Sequence, residues 1–298
     1  MRLFIFGAGY SGLALARRLS GTAQGIVGTT RHADRFADLR TAGVEPLLFD
    51  GERPGEGVAA ALATATHLVL SVAPGEAGDP VLAHHGADIL AAPALEWIGY
   101  WSTIGVYGDY GGAWVDETTV CHPVSRRSKA RLAVEAEWRA LAAEKGVPLA
   151  LLRLAGIYGP GRNAFVKLEA GTARRLVKPG QVFNRIHVDD IATVTAAAIG
   201  RRAAGVFNVC DEEPAPPQDV VTFAAGLMGV APPPEQAFAT ADLSPMARSF
   251  YGENKRVANG RLARDLGVTL AHPTYREAHA AMWADDTWRG TGTGGGEG

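Results

Sequence analysis

The sequence predicts a doubly wound α/β protein, a parallel sheet with helices on both faces, followed by a small C-terminal α+β lobe. Three observations lead there. Short apolar runs alternate with helical segments through the first half, as in a parallel sheet covered on both faces. The first run, Arg2-Leu3-Phe4-Ile5-Phe6, passes without a gap into Gly7-Ala8-Gly9-Tyr10-Ser11-Gly12 and then into an apolar helix. From Asp211 onward the chain changes character: Pro214, Pro216, Pro217, Pro232, Pro233 and Pro234 punctuate short helical segments.

Each element has its own warrant. Leu13–Leu19 reads as a helix with a basic pair, Arg17-Arg18, near its end. Strands are expected at 25–29, 46–49, 67–72, 97–103 and 148–153, each a short apolar run rich in β-formers. The alanine-rich stretch from Val58 reads as helix and then strand, and helices are expected at 80–92 and about 125–145. A late strand, Val206–Val209, returns to the sheet. Residues 1–158 and 187–210 therefore form the sheet domain, and 159–186 with 211–289 form the lobe. Residues 290–298, almost all glycine, threonine and glutamate, are expected to be disordered.

Composition narrows the function. A chain of 298 residues with 47% hydrophobic content can bury a large α/β core. The net charge of −2, with both signs interspersed, gives no nucleic-acid or membrane surface. No stretch approaches the length of a membrane span. Cys121 and Cys210 stand far apart without metal-type spacing and read as reduced structural thiols. A cytoplasmic protein is expected, with no metal.

The glycine motif carries the first chemistry. In a strand–turn–helix setting, G-x-G-x-x-G is the dinucleotide-binding fingerprint of a Rossmann domain. Gly7 allows the tight turn, Gly9 the approach of a pyrophosphate, and Gly12 the close packing of helix on strand. Tyr10 and Ser11 open the helix, whose free N–H groups face the phosphates. About 20 positions on, where an acidic residue would accept the ribose hydroxyls of NAD, the chain has Gly28-Thr29-Thr30-Arg31. A guanidinium beside hydroxyls suits a 2′-phosphate, so NADP(H) is preferred and NAD(H) possible. Asp50 is expected near the adenine, and Ser71, Val72 and Ala73 under the pyrophosphate and ribose.

Four further segments give a family resemblance. Ser102-Thr103-Ile104-Gly105-Val106-Tyr107-Gly108-Asp109, Arg153-Leu154-Ala155-Gly156-Ile157-Tyr158-Gly159-Pro160-Gly161-Arg162, Arg185-Ile186-His187-Val188-Asp189-Asp190 and Val206–Val209 resemble motifs of the extended short-chain dehydrogenase/reductases. That family includes nucleotide-sugar epimerases, dehydratases and reductases. The resemblance runs from residue 1 to about residue 285. It implies Leu154 on the cofactor side, Tyr158, Arg162, Arg185 and His187 toward the substrate, and a homodimer packed through the helix of Lys129. It also implies a tyrosine and a lysine four residues apart on one helix face, with a serine or threonine nearby. The ammonium lowers the phenol pKa, and the phenol exchanges a proton with substrate.

Here the lysine is Lys129, the threonine is Thr103, and the tyrosine position holds Ser125. A serine hydroxyl is shorter and far less acidic than a phenol. Lys129 keeps its expected bond to the nicotinamide ribose, and Thr103 its hold on a substrate oxygen. The proton then comes from Tyr107, Tyr158 or His187, or through water bound by Lys129. Otherwise the protein binds cofactor without turnover, as a regulator or redox sensor. Tyr251-Gly252-Glu253-Asn254-Lys255 repeats the lost spacing in the lobe, where Tyr251, Asn254 and Arg256 are better read as substrate contacts. Asp189-Asp190 reads as a helix N-cap. Arg126, Arg127 and Arg131 read as a basic surface face, and the adjacent His84-His85 point to different sides of their helix.

Overall fold

Residues 1–290 are described by the computed structural model. Strands β1 (Arg2–Phe6), β2 (Gly25–Thr30), β3 (Glu45–Leu48), β4 (His67–Leu70) and β5 (Trp97–Thr103) alternate with helices α1 (Tyr10–Leu19), α2 (Phe36–Thr41), α3 (Val58–Leu62) and α4 (Pro80–Ala91). After the short β6 (Trp114–Val115) come the long helix α5 (Arg126–Lys145) and β7 (Leu149–Leu154). Next are β8 (Gly156–Tyr158), α6 (Ala164–Glu169), β9 (Arg175–Val177), β10 (Arg185–His187), α7 (Val188–Gly200) and β11 (Gly205–Val209). The remainder is α8 (Pro217–Met228), β12 (Glu235–Ala237), α9 (Pro245–Phe250), β13 (Arg256–Val257), α10 (Arg261–Leu266) and α11 (Tyr275–Ala284).

Seven strands form one parallel sheet in the order β3-β2-β1-β4-β5-β7-β11. The order reverses between β1 and β4, the switch point beside which ligands bind in such sheets. Alternate residues of each strand feed opposite cores. Leu3 and Ile5 pack on one face with α1, α7 and α10, while Phe4 and Phe6 pack on the other with α3, α4 and α5. Trp97 and Trp101 likewise oppose Ile98 and Tyr100 along β5. A third core, built from Phe165, Val220, Ala224, Tyr275, Met282 and Trp288, lies in the C-terminal lobe among α6, α8 and α11.

Local signals set the helix ends. Asp79 caps α4 by accepting the amides of Val81 and Leu82, and Ser125 caps α5 by accepting that of Ser128. Thr274 and Glu277 form a capping box at α11. The expected cap at Asp189-Asp190 is displaced. The structure starts α7 at Val188 with His187 as its cap, because β10 ends directly on the histidine. The expected tail at 290–298 falls, from residue 291 on, outside the described residues. No described helix is long and apolar enough to cross a membrane.

Candidate functional site

At the carboxyl ends of β1 to β4 lies a cleft of about 840 Å³, and the glycine turn forms its wall. The three glycines have separate duties. Gly7 sits at φ +82°, with Ser71 and Val72, just past β4, directly behind it. A Cβ on Gly9 would meet nothing within 4 Å, so the backbone there faces open space. A Cβ on Gly12 would lie 3.2 Å from the Gly7 carbonyl and 3.4 Å from Ile5, so α1 packs tightly against β1. Thr29 fixes the turn, accepting the Gly7 amide on Oγ1 at 2.9 Å and the Ala8 amide on its carbonyl at 2.8 Å. The first-turn amides of α1 have no partner within the helix, and together with the helix dipole they make an anion site. A dinucleotide pyrophosphate fits this arrangement.

Gly7, Gly9, Thr30, Arg31, Asp50, Ser71, Val72 and Ala73 all line the cleft. Tyr10, Ser11, Gly12, Lys129 and Leu154 do not; Gly12 and Leu154 serve packing, and the Tyr10 hydroxyl donates to the Pro160 carbonyl. Sequence reading missed His32, Arg35 and His84, which also line it. Arg35 had a signal, standing four residues beyond Arg31, and its Nε donates to Asp38 at 2.8 Å. Asp50 accepts the Glu52 amide at 2.9 Å, which holds its carboxyl below the usual range.

At the carboxyl end of β5, the strand beside β4, Thr103 and Ser128 flank Gly105, and Ser125 is joined to Ser128. Thr103 Oγ1 accepts the Gly105 amide at 3.1 Å, and the Ser125 hydroxyl donates to Ser128 Oγ at 2.9 Å. A Cβ on Gly105 would lie 2.8 Å from Ser128 Oγ and 3.4 Å from Thr103 Oγ1. Lys129, exposed on the first turn of α5, follows from the same cap. Ser125 is thus occupied as the cap of its helix.

The residues offered in place of the missing phenol lie in the interior. Tyr107 is fully buried and donates its hydroxyl to Asn208 at 2.7 Å; burial pushes the phenol up to about 12. It faces away from the cleft, on the side of a buried ion pair in which Arg153 makes two hydrogen bonds to Glu135, at 3.1 and 2.8 Å. Ser102 joins that pair, donating to Glu135 at 2.6 Å. Tyr158 and His187 are buried against each other, rings 5.4 Å apart, and burial lowers His187 to about 3. Neither Tyr158 Oη nor His187 Nε2 has a hydrogen-bond partner among the described residues. The three were placed by their motifs, and packing turns them inward.

Other expectations are corrected in the same way. Arg131 does not lie on a surface face: its guanidinium reaches under the sheet edge to the Tyr100 hydroxyl at 3.1 Å and the Trp101 carbonyl at 3.0 Å. Tyr251 is buried, stacked on Phe238 and edge-on to Phe183, so it is no cleft contact. Lys255 donates to the Gly108 carbonyl at 2.7 Å and to Glu253, away from any tyrosine–lysine dyad. Asn254 and Arg256 brace the 109–112 turn. Arg185 lies in the lobe against Tyr275, donating to the Phe183 and Ala215 carbonyls, whereas Arg162 is exposed. His187, Asp190 and His272 bring donor atoms within 4.8 Å of one another. Both Asp190 oxygens are taken up by the amides of Ala271 and His272, so this group reads as a loop anchor.

Comparison with known proteins agrees with this fold. The model of the NAD dependent epimerase/dehydratase family matches residues 3–210, and the chain belongs to that family. It is similar to a solved conserved protein of unknown function from Silicibacter pomeroyi DSS, with 50% identity and a TM-score of 0.89 over 95% of this chain and 98% of the other. It is 27% identical over 283 residues to Protein YeeZ of Escherichia coli K12, covering 91% of this chain and 96% of YeeZ. Over 155 residues, 48% of this chain and 49% of the other, it is 30% identical to a 3-diazoavenalumate denitrifying reductase of a Streptomyces species.

Proposed function

We propose that this chain is an NADP(H)-dependent oxidoreductase that transfers hydride to or from a small carbonyl, polyol or sugar-nucleotide substrate. The observation that carries the reading is the cleft itself. A glycine turn built for a pyrophosphate opens at one end onto Arg31 and Arg35, guanidinium groups of the kind a 2′-phosphate needs, with His32 beside them. The bound nicotinamide would supply the hydride chemistry. Thr103 holds the reacting oxygen, Lys129 holds the nicotinamide ribose, and the Ser125–Ser128 hydroxyl pair lines the place of the phenol. With Ser125 occupied as a cap, the proton reaches the substrate through water bound near Lys129. The reductase relative supports this class of reaction by its name. A second reading, a cofactor-binding regulator, is favoured by the inward placement of Tyr107, Tyr158 and His187.

Binding of NADPH and NADH, followed by single-turnover oxidation of NADPH against a panel of carbonyl compounds, separates the two. The enzyme reading expects tighter NADPH binding and a slow turnover that Lys129→Ala and Thr103→Ala each lower by about 10²-fold or more. Cofactor binding without turnover on any compound supports the regulator, and binding of neither nucleotide removes both readings.

A further inference from the structure

Tyr10 opens α1, so its backbone amide belongs to the dinucleotide turn, but its side chain leaves that domain. The hydroxyl donates to the Pro160 carbonyl at 2.9 Å. Pro160 lies in a turn closed by reciprocal bonds between Gly159 and Arg162, at 3.1 and 3.0 Å. No side chain fits at Gly159: its φ is +153°, and a Cβ would lie 2.7 Å from Tyr10 Oη and 2.8 Å from Val188. The other side of the turn is held by the end of the described chain. The Trp288 carbonyl accepts the Gly161 amide at 2.8 Å and Asn163 Nδ2 at 2.7 Å, and Asn163 Nδ2 also donates to Gly159 at 2.8 Å. Trp288 is itself buried against Phe165 and Trp283.

We infer that Tyr10, the 159–163 turn and Trp288 act as one positioning unit, through which the C-terminal lobe sets the geometry of the cofactor's pyrophosphate site. This rests on reading Gly7–Gly12 as that site. The physical reason is preorganisation. A first-turn residue tied to a rigid neighbour leaves less motion of the helix N-terminus to be lost on binding. Only the pyrophosphate half of the ligand feels this, since the ends of β2 and β3 bind the adenosine half.

The test is calorimetric titration of the full chain with NADPH and with adenosine 2′-phosphate, which lacks the pyrophosphate. Tyr10→Phe is expected to weaken NADPH binding about threefold to tenfold, the cost of ordering on binding a helix start that the bond otherwise holds in place. Adenosine 2′-phosphate affinity should stay as in the wild type, and Tm should fall by no more than the few degrees that one internal hydrogen bond is worth. Equal NADPH affinity, or parallel loss for both ligands, overturns the inference. Trp288→Phe, chosen because Trp288→Ala removes a core side chain, should weaken NADPH binding in the wild-type background and add little in Tyr10→Phe. An undiminished effect in that background also overturns it. If the wild type binds adenosine 2′-phosphate but not NADPH, the pyrophosphate reading fails and this inference with it.

Discussion

Asp211 is the most displaced acid in the molecule's lobe. Burial pushes its carboxyl up to about 8 against the lowering effect of Arg185, and neither oxygen has a hydrogen-bond partner among the described residues. The folded chain therefore keeps a proton that the unfolded chain releases near pH 4, so this group's contribution to stability falls as pH rises from about 4 to about 8. His187 and His279 act oppositely. Burial lowers them to about 3 and about 4, so the unfolded chain binds protons below about pH 6.5 that the folded chain refuses, and stability falls as pH drops through that window. The sum predicts a stability maximum near pH 6.5, with limbs no steeper than about 1.4 kcal/mol per pH unit for each proton. Denaturant melts across pH 4 to 9 check this. Asp211→Asn is expected to flatten the alkaline limb and steepen the acid one, and His279→Asn to shallow the acid one. None of these shifts was legible from sequence, where Asp211 follows an ordinary strand and His279 sits on an ordinary helix.

At the scale of elements, the β1–α1 unit shows how much a local pattern can specify. Its three glycines lie five residues apart at most, and each meets surroundings set by its own strand, turn and helix. The same surroundings predict different outcomes for similar substitutions. Gly9→Ala adds a methyl group to open space, so the fold is retained while NADPH affinity drops by at least about tenfold through collision with the pyrophosphate. Gly28→Ala, in β2, would place a Cβ 2.7 Å from both Ala8 and Val44, and is expected to cost about 1–3 kcal/mol of stability by overpacking. Urea melts and cofactor titrations of the two variants should separate cleanly. The shape of Gly28's environment depends on how β2 meets the turn and the segment before β3, which the sequence left unmarked. Helix α5 carries the same lesson in another form. Its lysine was marked by the family resemblance, but the route of Arg131 inward beneath β4 and β5 was not legible, because a helical wheel gives a direction and not a neighbour.

For the whole molecule, the buried Glu135–Arg153 pair joins α5 to β7 between the cofactor half and the late strand β11. Glu135 is 0% exposed and Arg153 4%, and Tyr107 lies beneath the guanidinium at 4.9 Å. Removing one partner strands the other charge, so Arg153→Met is expected to destabilise the chain by about 3–5 kcal/mol. Replacing both residues with apolar ones of similar volume should recover much of that loss, which a double-mutant cycle of urea melts would measure.

The sequence by itself determined the parallel sheet and the glycine turn, and the structure added the strand order with its switch point. The sheet and the turn follow from short-range rules: the alternation of apolar runs, the steric freedom of glycine and the free amides of a helix start. Thr103 and Lys129 were expected through the family resemblance, on motifs at the ends of single elements. Only the tertiary structure decided which polar side chains face the cleft. Tyr107 turned toward Asn208, Tyr158 toward His187, and Tyr251 into its own small core, each drawn inward by partners far away in sequence. Periodicity tells a residue which side of its element it occupies. Whether that side meets solvent, a ligand or another element depends on packing between segments whose contacts no local pattern encodes.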